Sequence, residues 1–456
     1  MEKQTLLLKS NESRKELSTE QIIATILVML PAIPSGMTVA FSAIALPQLN
    51  LNLIQTSWFA SLPTLAAIFG NLSSGFLIDR YGRRNTFFLN SGALIIGCIF
   101  LSGSPTIANL YIGQIFCGIS IGAAVVAPTV YITESIVPDN LHTRNSLASW
   151  NILSLTLGVG LDFVASLFFV YQHVVLLCAA LSLIFITIFL IFIPESPAWL
   201  YQTKRYEEAN LARKKLSFGK EILNYEDEKY MHNYIDHKDI FTYIKNITRC
   251  DVYKPLFICL IFFFFQQFSG SQVYVAFMVD LIKPTFLPVS PYQLSAVSGF
   301  IPIAGVLIYS FISPHTKLRK LGMVTSFISG IMTFLIGFSL YLNESWHSYS
   351  YIVDYIHILA VWLNLLVTSM GIGTIPYTIL AEIFPEDVRG FASIPVLGLS
   401  LFYYIILMLY PFASEYLIYG IHYIFSGVNF LSILFIYWFV PETIGKKLHE
   451  ITSEFL

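Results

Sequence analysis

Twelve apolar stretches, each about 20 residues long, alternate with polar segments along the chain. A helix rises about 1.5 Å per residue and needs about 20 apolar residues to cross hydrocarbon, so the pattern predicts transmembrane helices. The stretches run Ile22 to Leu46, Thr56 to Ile78, Thr86 to Gly103, Asn109 to Thr133, Leu147 to Val170 and Val174 to Ile193. After a polar interval they resume at Pro255 to Ile282, Leu294 to Ser313, Leu321 to Leu342, Ile352 to Ala381, Phe391 to Pro411 and Tyr416 to Val440. We number them spans 1 to 12. Short alternating strands, the mark of a membrane β-barrel, are not visible. The fold class expected is an all-α membrane protein with twelve transmembrane helices. The expected layout is a cytosolic tail over 1–20, a six-helix bundle over 21–193, a cytosolic linker with short helices over 194–254, a second bundle over 255–440 and a cytosolic tail over 441–456.

Composition agrees with the pattern. The chain is 55% hydrophobic and 12% charged, whereas soluble globular proteins carry about 25% charged residues. Charge then fixes orientation, because cationic loops stay on the cytosolic side. With the N-terminus inside, all but one of the 26 Lys and Arg residues fall on that side, Lys283 being the exception. The net charge of −2 adds nothing to that argument, and nothing in the sequence points to nucleic acid. The first 20 residues lack an apolar core followed by a small-residue cleavage site, so no signal peptide is expected. Cys98, Cys117, Cys178 and Cys259 lie in spans and Cys250 is cytosolic, which predicts neither a disulfide framework nor a metal site.

Motifs recur between the halves. Pro128, Tyr131 and Glu134 end span 4 as Pro376, Tyr377 and Glu382 end span 10; Pro194-Glu195-Ser196 follows span 6 as Pro441-Glu442-Thr443 follows span 12. Glu134 to Glu382, Glu195 to Glu442 and Arg144 to Arg389 are separated by a nearly constant roughly 245 to 248 residues, the signature of a duplicated six-helix unit. Several runs carry a resemblance: Asp79-Arg80-Tyr81-Gly82-Arg83-Arg84, Pro-Glu-Ser-Pro at 194–197, Gln266-Gln267-Phe268-Ser269-Gly270, Gly371-Ile372-Gly373-Thr374-Ile375-Pro376 leading to Glu382 and Arg389-Gly390, and Val440-Pro441-Glu442-Thr443. Together they resemble the sugar porter family of the major facilitator superfamily, and within it the insect trehalose and hexose facilitators. The resemblance implies two pseudo-symmetric six-helix bundles that move a sugar by alternating access, with no cofactor, no chemical step and a monomeric carrier in a lipid bilayer.

Asp79, Arg83, Arg84, Glu134, Arg144 and Glu195 sit at cytosolic helix ends of the first half, where opposite charges can bridge neighbouring helices. The resemblance implies that this cluster, with Glu382, Arg389 and Glu442, closes the inner side when the cavity faces outward. The plainer alternative for the arginines is retention on the positive side, but glutamates receive little help from that rule. In the second half the place of Gly82-Arg83-Arg84 reads Leu318-Arg319-Lys320, preceded by His315, which predicts a looser gate there.

Gln266 and Gln267 lie about 12 residues into span 7, roughly 18 Å along its axis and near the midplane. Buried amides are costly there unless they face a polar cavity or pair with another helix, and each offers donors and acceptors suited to an uncharged, hydroxyl-rich ligand. Adjacent on a helix, the two cannot point the same way. Gln272 holds the position where the family carries a sugar-contacting Asn. Gly371, Gly373 and Pro376 permit a bend in span 10, and Tyr377, in place of the family's Trp, can cover a sugar ring. Asn151 completes the candidate substrate set.

Departures from the family pattern make the expected cavity less polar: Gln114 stands for an Arg, Ile152 for a Gln, and Ala198 ends the Pro-Glu-Ser-Pro run. Span 1 lacks the acid of proton-driven relatives, so a uniporter is the simpler reading. Asp162 in span 5 is the complication; a wet cavity mouth is its plain explanation. Asn343-Glu-Ser is a candidate glycosylation site in an external loop. Glu2 to Leu7 resembles an acidic dileucine signal, an endosomal or lysosomal alternative to the plasma membrane. Competing functions are a proton-coupled sugar or polyol symporter and a sugar sensor without flux. No nucleophile and base pair or metal-ligand set in the spans suggests an enzyme.

Overall fold

In a computed structural model of the chain, residues 19–135, 141–216, 249–285, 287–313, 315–346, 351–383 and 393–442 are described. Among them every long element is helical. Among the described residues nine helices are individually long and apolar enough to cross a membrane, a bent pair at the N-terminus makes a tenth crossing, and two shorter apolar helices complete twelve. The expected fold class is thus the one observed, with most helices beginning about one turn before the apolar runs that announced them.

Three spans are broken. Span 1 divides into Thr19–Met29 and Ala32–Ala45, which meet at 44° beside Pro31, whose missing N–H cannot continue the ladder. Span 7 divides into an inner segment, Cys250–Phe268, and outer segments Ser271–Ala276 and Met278–Ile282. Span 10 divides into Tyr351–Met370 and Ile375–Ile383 around a turn at 371–374.

Within the first half, spans 1 and 5 and spans 2 and 4 touch backbone to backbone. A Cβ at Gly36 would overlap the Leu155 carbonyl, and one at Gly70 would overlap that of Ile119. Lipid provides no hydrophobic drive between helices, so close packing at small residues replaces it. The halves meet along two seams. Span 2 packs on span 11, with the Trp58 and Tyr404 rings 6.4 Å apart and Asn71 Nδ2 3.4 Å from Ser400 Oγ. Span 5 packs on span 8, where Gly299 leaves room for Gly160; a Cβ on Gly299 would lie 2.9 Å from the Gly160 Cα. At the end away from the charged motifs Ser42 Oγ of span 1 donates to the Ala276 carbonyl of span 7 at 3.3 Å, and one apolar cluster joins both halves through Phe41, Ile44, Tyr274, Phe277 and Tyr410. These contacts close the ends of spans 1 and 7 over one another.

Candidate functional site

The break in span 7 is set by Gly270, whose φ of +89° is open to glycine and strained for other residues. A Cβ there would also stand 2.5 Å from the Phe425 ring. Immediately inside the break lie the paired amides. Gln266 and Gln267 are each 2% exposed, and the Oε1 of each has no partner among the described residues. Gln266 Nε2 donates to the Gly373 carbonyl at 2.9 Å, inside the turn that interrupts span 10. Two broken helices therefore meet at one amide. Such junctions free backbone groups, and in membranes they persist where protein or a polar cavity satisfies them.

Tyr377 follows that turn, half-buried, with its ring edge on Phe263 at 5.2 Å and its hydroxyl interacting with Gln266. Gln272 is half-buried in the outer segment of span 7, six residues beyond Gln266 and across the break. Gln266, Tyr377 and the turn in span 10 form one locus. Asn151 does not join it. Its Nδ2 donates to the carbonyls of Ala124 at 3.0 Å and Val125 at 3.1 Å in span 4. The cause is legible in the chain: Pro128 has no N–H to return to residue 124, and Asn151 supplies the missing donor.

Gln114, a departure expected to make the cavity less polar, stays a polar group. It is buried, and neither its Nε2 nor its Oε1 has a partner among the described residues. An orphaned amide is a place for a hydroxyl, so the exchange of Arg for Gln removes the charge and some donors, adds an acceptor and keeps the position polar. Asp162 departs from expectation as well. It is 1% exposed and faces a tight crevice inside the first bundle, lined by Met37, Thr38, Phe41, Cys98, Val175 and Cys178. It is not at a wet mouth, because span 5 turns that face toward spans 1, 3 and 6.

At the helix ends the charged motifs take a different form from bridging side chains. Glu195 accepts the backbone N–H groups of Arg83 at 2.9 Å, Arg84 at 3.0 Å and Ser196 at 2.9 Å. It caps the N-terminus of span 3, where the helix dipole favours an anion. Gly82, with φ +95°, makes the approach possible; a Cβ there would stand 2.5 Å from Glu195 Oε2. The second half repeats the device, since Glu442 accepts from Leu318 N at 3.1 Å and Arg319 N at 3.4 Å. Arg84 donates to the Leu190 carbonyl at the end of span 6, and Arg319 to that of Tyr437 at the end of span 12. The caps set Arg83 against Leu318 and Arg84 against Arg319, one position away from the alignment read in the sequence. Because the cap uses backbone N–H groups, Leu318 serves as well as an arginine. Asp79 is exposed and 4.0 Å from the guanidinium of the buried Arg83, a long and weak pair on a solvated carboxylate. All of these contacts lie within one half. The side chains of Glu134, Arg144 and Glu382, and Arg389 altogether, lie outside the described residues.

Asn343 lies in the last turn of the span 9 helix, Leu318–Trp346, and not in the loop after it, and its Nδ2, the atom a glycan would occupy, donates to Asp354 Oδ1 of span 10 at 2.9 Å. Cys98, Cys117, Cys178 and Cys259 are free and buried, and among the described residues no cluster of His, Cys, Asp and Glu is arranged to hold a metal. The residue that sequence reasoning missed is Asn429, a lone amide in the apolar run of span 12. It donates to the Ser269 carbonyl at the span 7 break.

The profile of the family described as "Sugar (and other) transporter" matches residues 7–455. A facilitated trehalose transporter of Apis mellifera ligustica is 25% identical over 452 residues, covering 96% of this chain and 88% of that protein. The Arabidopsis thaliana sugar transporter ERD6-like 2 is 28% identical over 454 residues, covering 98% and 97%. Among solved structures, the xylose transporter XylE of E. coli in a partially occluded inward-open conformation superposes with a TM-score of 0.77 at 18% identity, over 94% of this chain and 100% of that one. That likeness shows the major facilitator fold.

Proposed function

Because the chain belongs to the sugar (and other) transporter family and is a multi-pass membrane carrier for sugar, we propose that its solute is a hexose or a trehalose-like disaccharide, moved by facilitated diffusion. The observation that carries this reading is the junction of Gln266 and Gln267 with the two broken helices. Near the midplane it presents amide groups, two of them with unpartnered oxygens, and no charge. An uncharged, hydroxyl-rich ligand pairs with such groups without desolvating an ion. Gln272 and Tyr377 border the same junction, and the orphaned Gln114 adds a further polar group in the first half. Gating follows from the caps. Glu195 and Glu442 hold the cytosolic ends of spans 3 and 9 to those of spans 6 and 12, so each half moves as a rigid body; Asp79, Arg83, Arg84, Glu134, Arg144, Glu382 and Arg389 complete the inner closure. Sugar must favour the state in which the openings exchange, since a ligand with equal affinity for every state shifts nothing. The carrier works as a monomer in the plasma membrane with both termini cytosolic. Its reaction has no covalent step, which sets it apart from enzymes.

Uptake of labelled glucose and trehalose into proteoliposomes, with and without an imposed proton gradient, tests the reading. Saturable entry that the gradient leaves unchanged is expected. Accumulation above the outside concentration, driven by the gradient, would replace the uniporter with a symporter.

A further inference from the structure

The break in span 7 leaves the Ser269 carbonyl without a helical partner, in a residue that is fully buried. Asn429 of span 12 resolves this: its Nδ2 donates to Ser269 O at 3.0 Å and to its own Phe425 O at 2.9 Å. Its Oδ1 lies 3.2 Å from Ser329 Oγ of span 9, and that hydroxyl lies 2.8 Å from Asn364 Oδ1 of span 10. Ser329 has one hydroxyl proton and two acceptors within reach. It serves one at a time, while Asn364 Nδ2 is left without a partner among the described residues. The two ends of an amide have the same shape, and turning Asn364 over ends the competition at Ser329 and gives Nδ2 a partner, with Oδ1 left as the unpartnered atom in its place. Its Nδ2 then donates to Ser329 Oγ, Ser329 donates to Asn429 Oδ1, and Asn429 donates to Ser269. The result is a directed relay of hydrogen bonds from span 10, through spans 9 and 12, to the hinge of span 7. All four residues are fully buried.

A second line joins the same two helices, since Gln266 Nε2 holds the Gly373 carbonyl at the span 10 turn. Span 7 is thus fastened to span 10 at its break and one turn before it. The outer segment beyond the break is the piece that seals against span 1 at Ser42.

We propose that Asn429, acting through Ser329 and Asn364, is a positioning residue for the transport cycle. It locks the span 7 hinge in the state whose outer side is closed, and couples that hinge to the bend of span 10 so that the two broken helices switch together. The relay rests on the alternating-access reading, but its test needs no sugar, so the two can fail separately.

The measurement is labelling of a cysteine at Val275, a half-buried position in the outer seal, by a membrane-impermeant maleimide applied from outside. Of the three hydrogen bonds that Asn429→Ala removes, only the one to Ser269 reaches the hinge, and its loss is expected to raise the labelling rate about five-fold, the net worth of one such bond. Ser329→Ala is expected to raise it less, and the double variant no further than Asn429→Ala alone, because the residues act in series. Ser426→Ala is the control. It breaks a buried bond of 2.8 Å to the Gly330 carbonyl between the same spans 12 and 9 without touching the hinge, and is expected to leave labelling unchanged. Asn429→Ser, too short to reach Ser269, replaces Asn429→Ala if the alanine variant does not fold. Labelling at the parent rate in both Asn429 variants would overturn the proposal, as would an equal rise in Ser426→Ala.

Discussion

Replacing Glu195 by alanine separates a cap from an ion-pair latch. The carboxylate accepts three backbone N–H groups between 2.9 and 3.0 Å, and Arg83, at the start of the helix it caps, is 2% exposed. Loss of an N-cap costs about 0.5–2 kcal/mol, and a charged acceptor places this one at the upper end, about 2 kcal/mol. For a unit of 150–250 residues each kcal/mol moves a melting temperature by about 2–4 °C, so Glu195→Ala is expected to melt about 4–8 °C lower in detergent. Glu195→Gln keeps an acceptor and loses the charge, and falls between. Glu442→Ala is expected to shift less, because its bonds are longer, at 3.1 and 3.4 Å. Thermal unfolding followed by tryptophan fluorescence reads all three. If Glu195→Ala melts with the parent protein while transport collapses, the carboxylate acts between the halves and the capping argument is refuted.

Other consequences follow from single contacts. Asn151→Ala leaves the Ala124 carbonyl unpaired and is expected to lower the melting temperature; adding Pro128→Ala restores a backbone N–H to that carbonyl and is expected to recover most of the loss, whereas a deeper loss in the pair would refute the assignment. Asp162→Asn is expected to leave sugar uptake and its pH profile as in the parent, since the side chain lies inside the first bundle; disappearance of an alkaline inhibition in that variant would make Asp162 a coupling group. Endoglycosidase treatment is expected to leave gel mobility unchanged, because Asn343 Nδ2 is held by Asp354 Oδ1; a downward shift lost in Asn343→Gln would show a glycan there.

The sequence carried the spans because their signal is collective: about 20 apolar residues outweigh any single exception. The bend in span 10 was legible as well, since Gly371, Gly373 and Pro376 crowd within one and a half turns. The break in span 7 was not, because it hangs on Gly270 alone in a run that stays apolar on both sides. The bend of span 1 at Pro31 was hidden the same way. At the site, the pairing of Gln266 with Gly373 joins residues 107 apart, and no local pattern encodes such a contact. Charge patterns placed Glu195 and Glu442 at the right helix ends. They do not reveal that the partners are backbone N–H groups, which every residue but proline carries and no sequence displays. Asn429 was invisible for the opposite reason: one polar residue in an apolar helix is common, and its importance comes from a carbonyl freed on another helix.

The account turns on the span 7 junction as the sugar site. Counterflow of labelled trehalose and glucose in proteoliposomes containing the parent protein and Gln267→Ala tests it most directly. The account predicts saturable counterflow by the parent protein for at least one of the two sugars and a rise in its half-saturating concentration of about ten-fold or more in the variant, about 1.4 kcal/mol, within the range for leaving one buried hydroxyl or amide contact unmade. Parent protein that moves neither sugar, or a variant with the parent's concentration dependence, would contradict it.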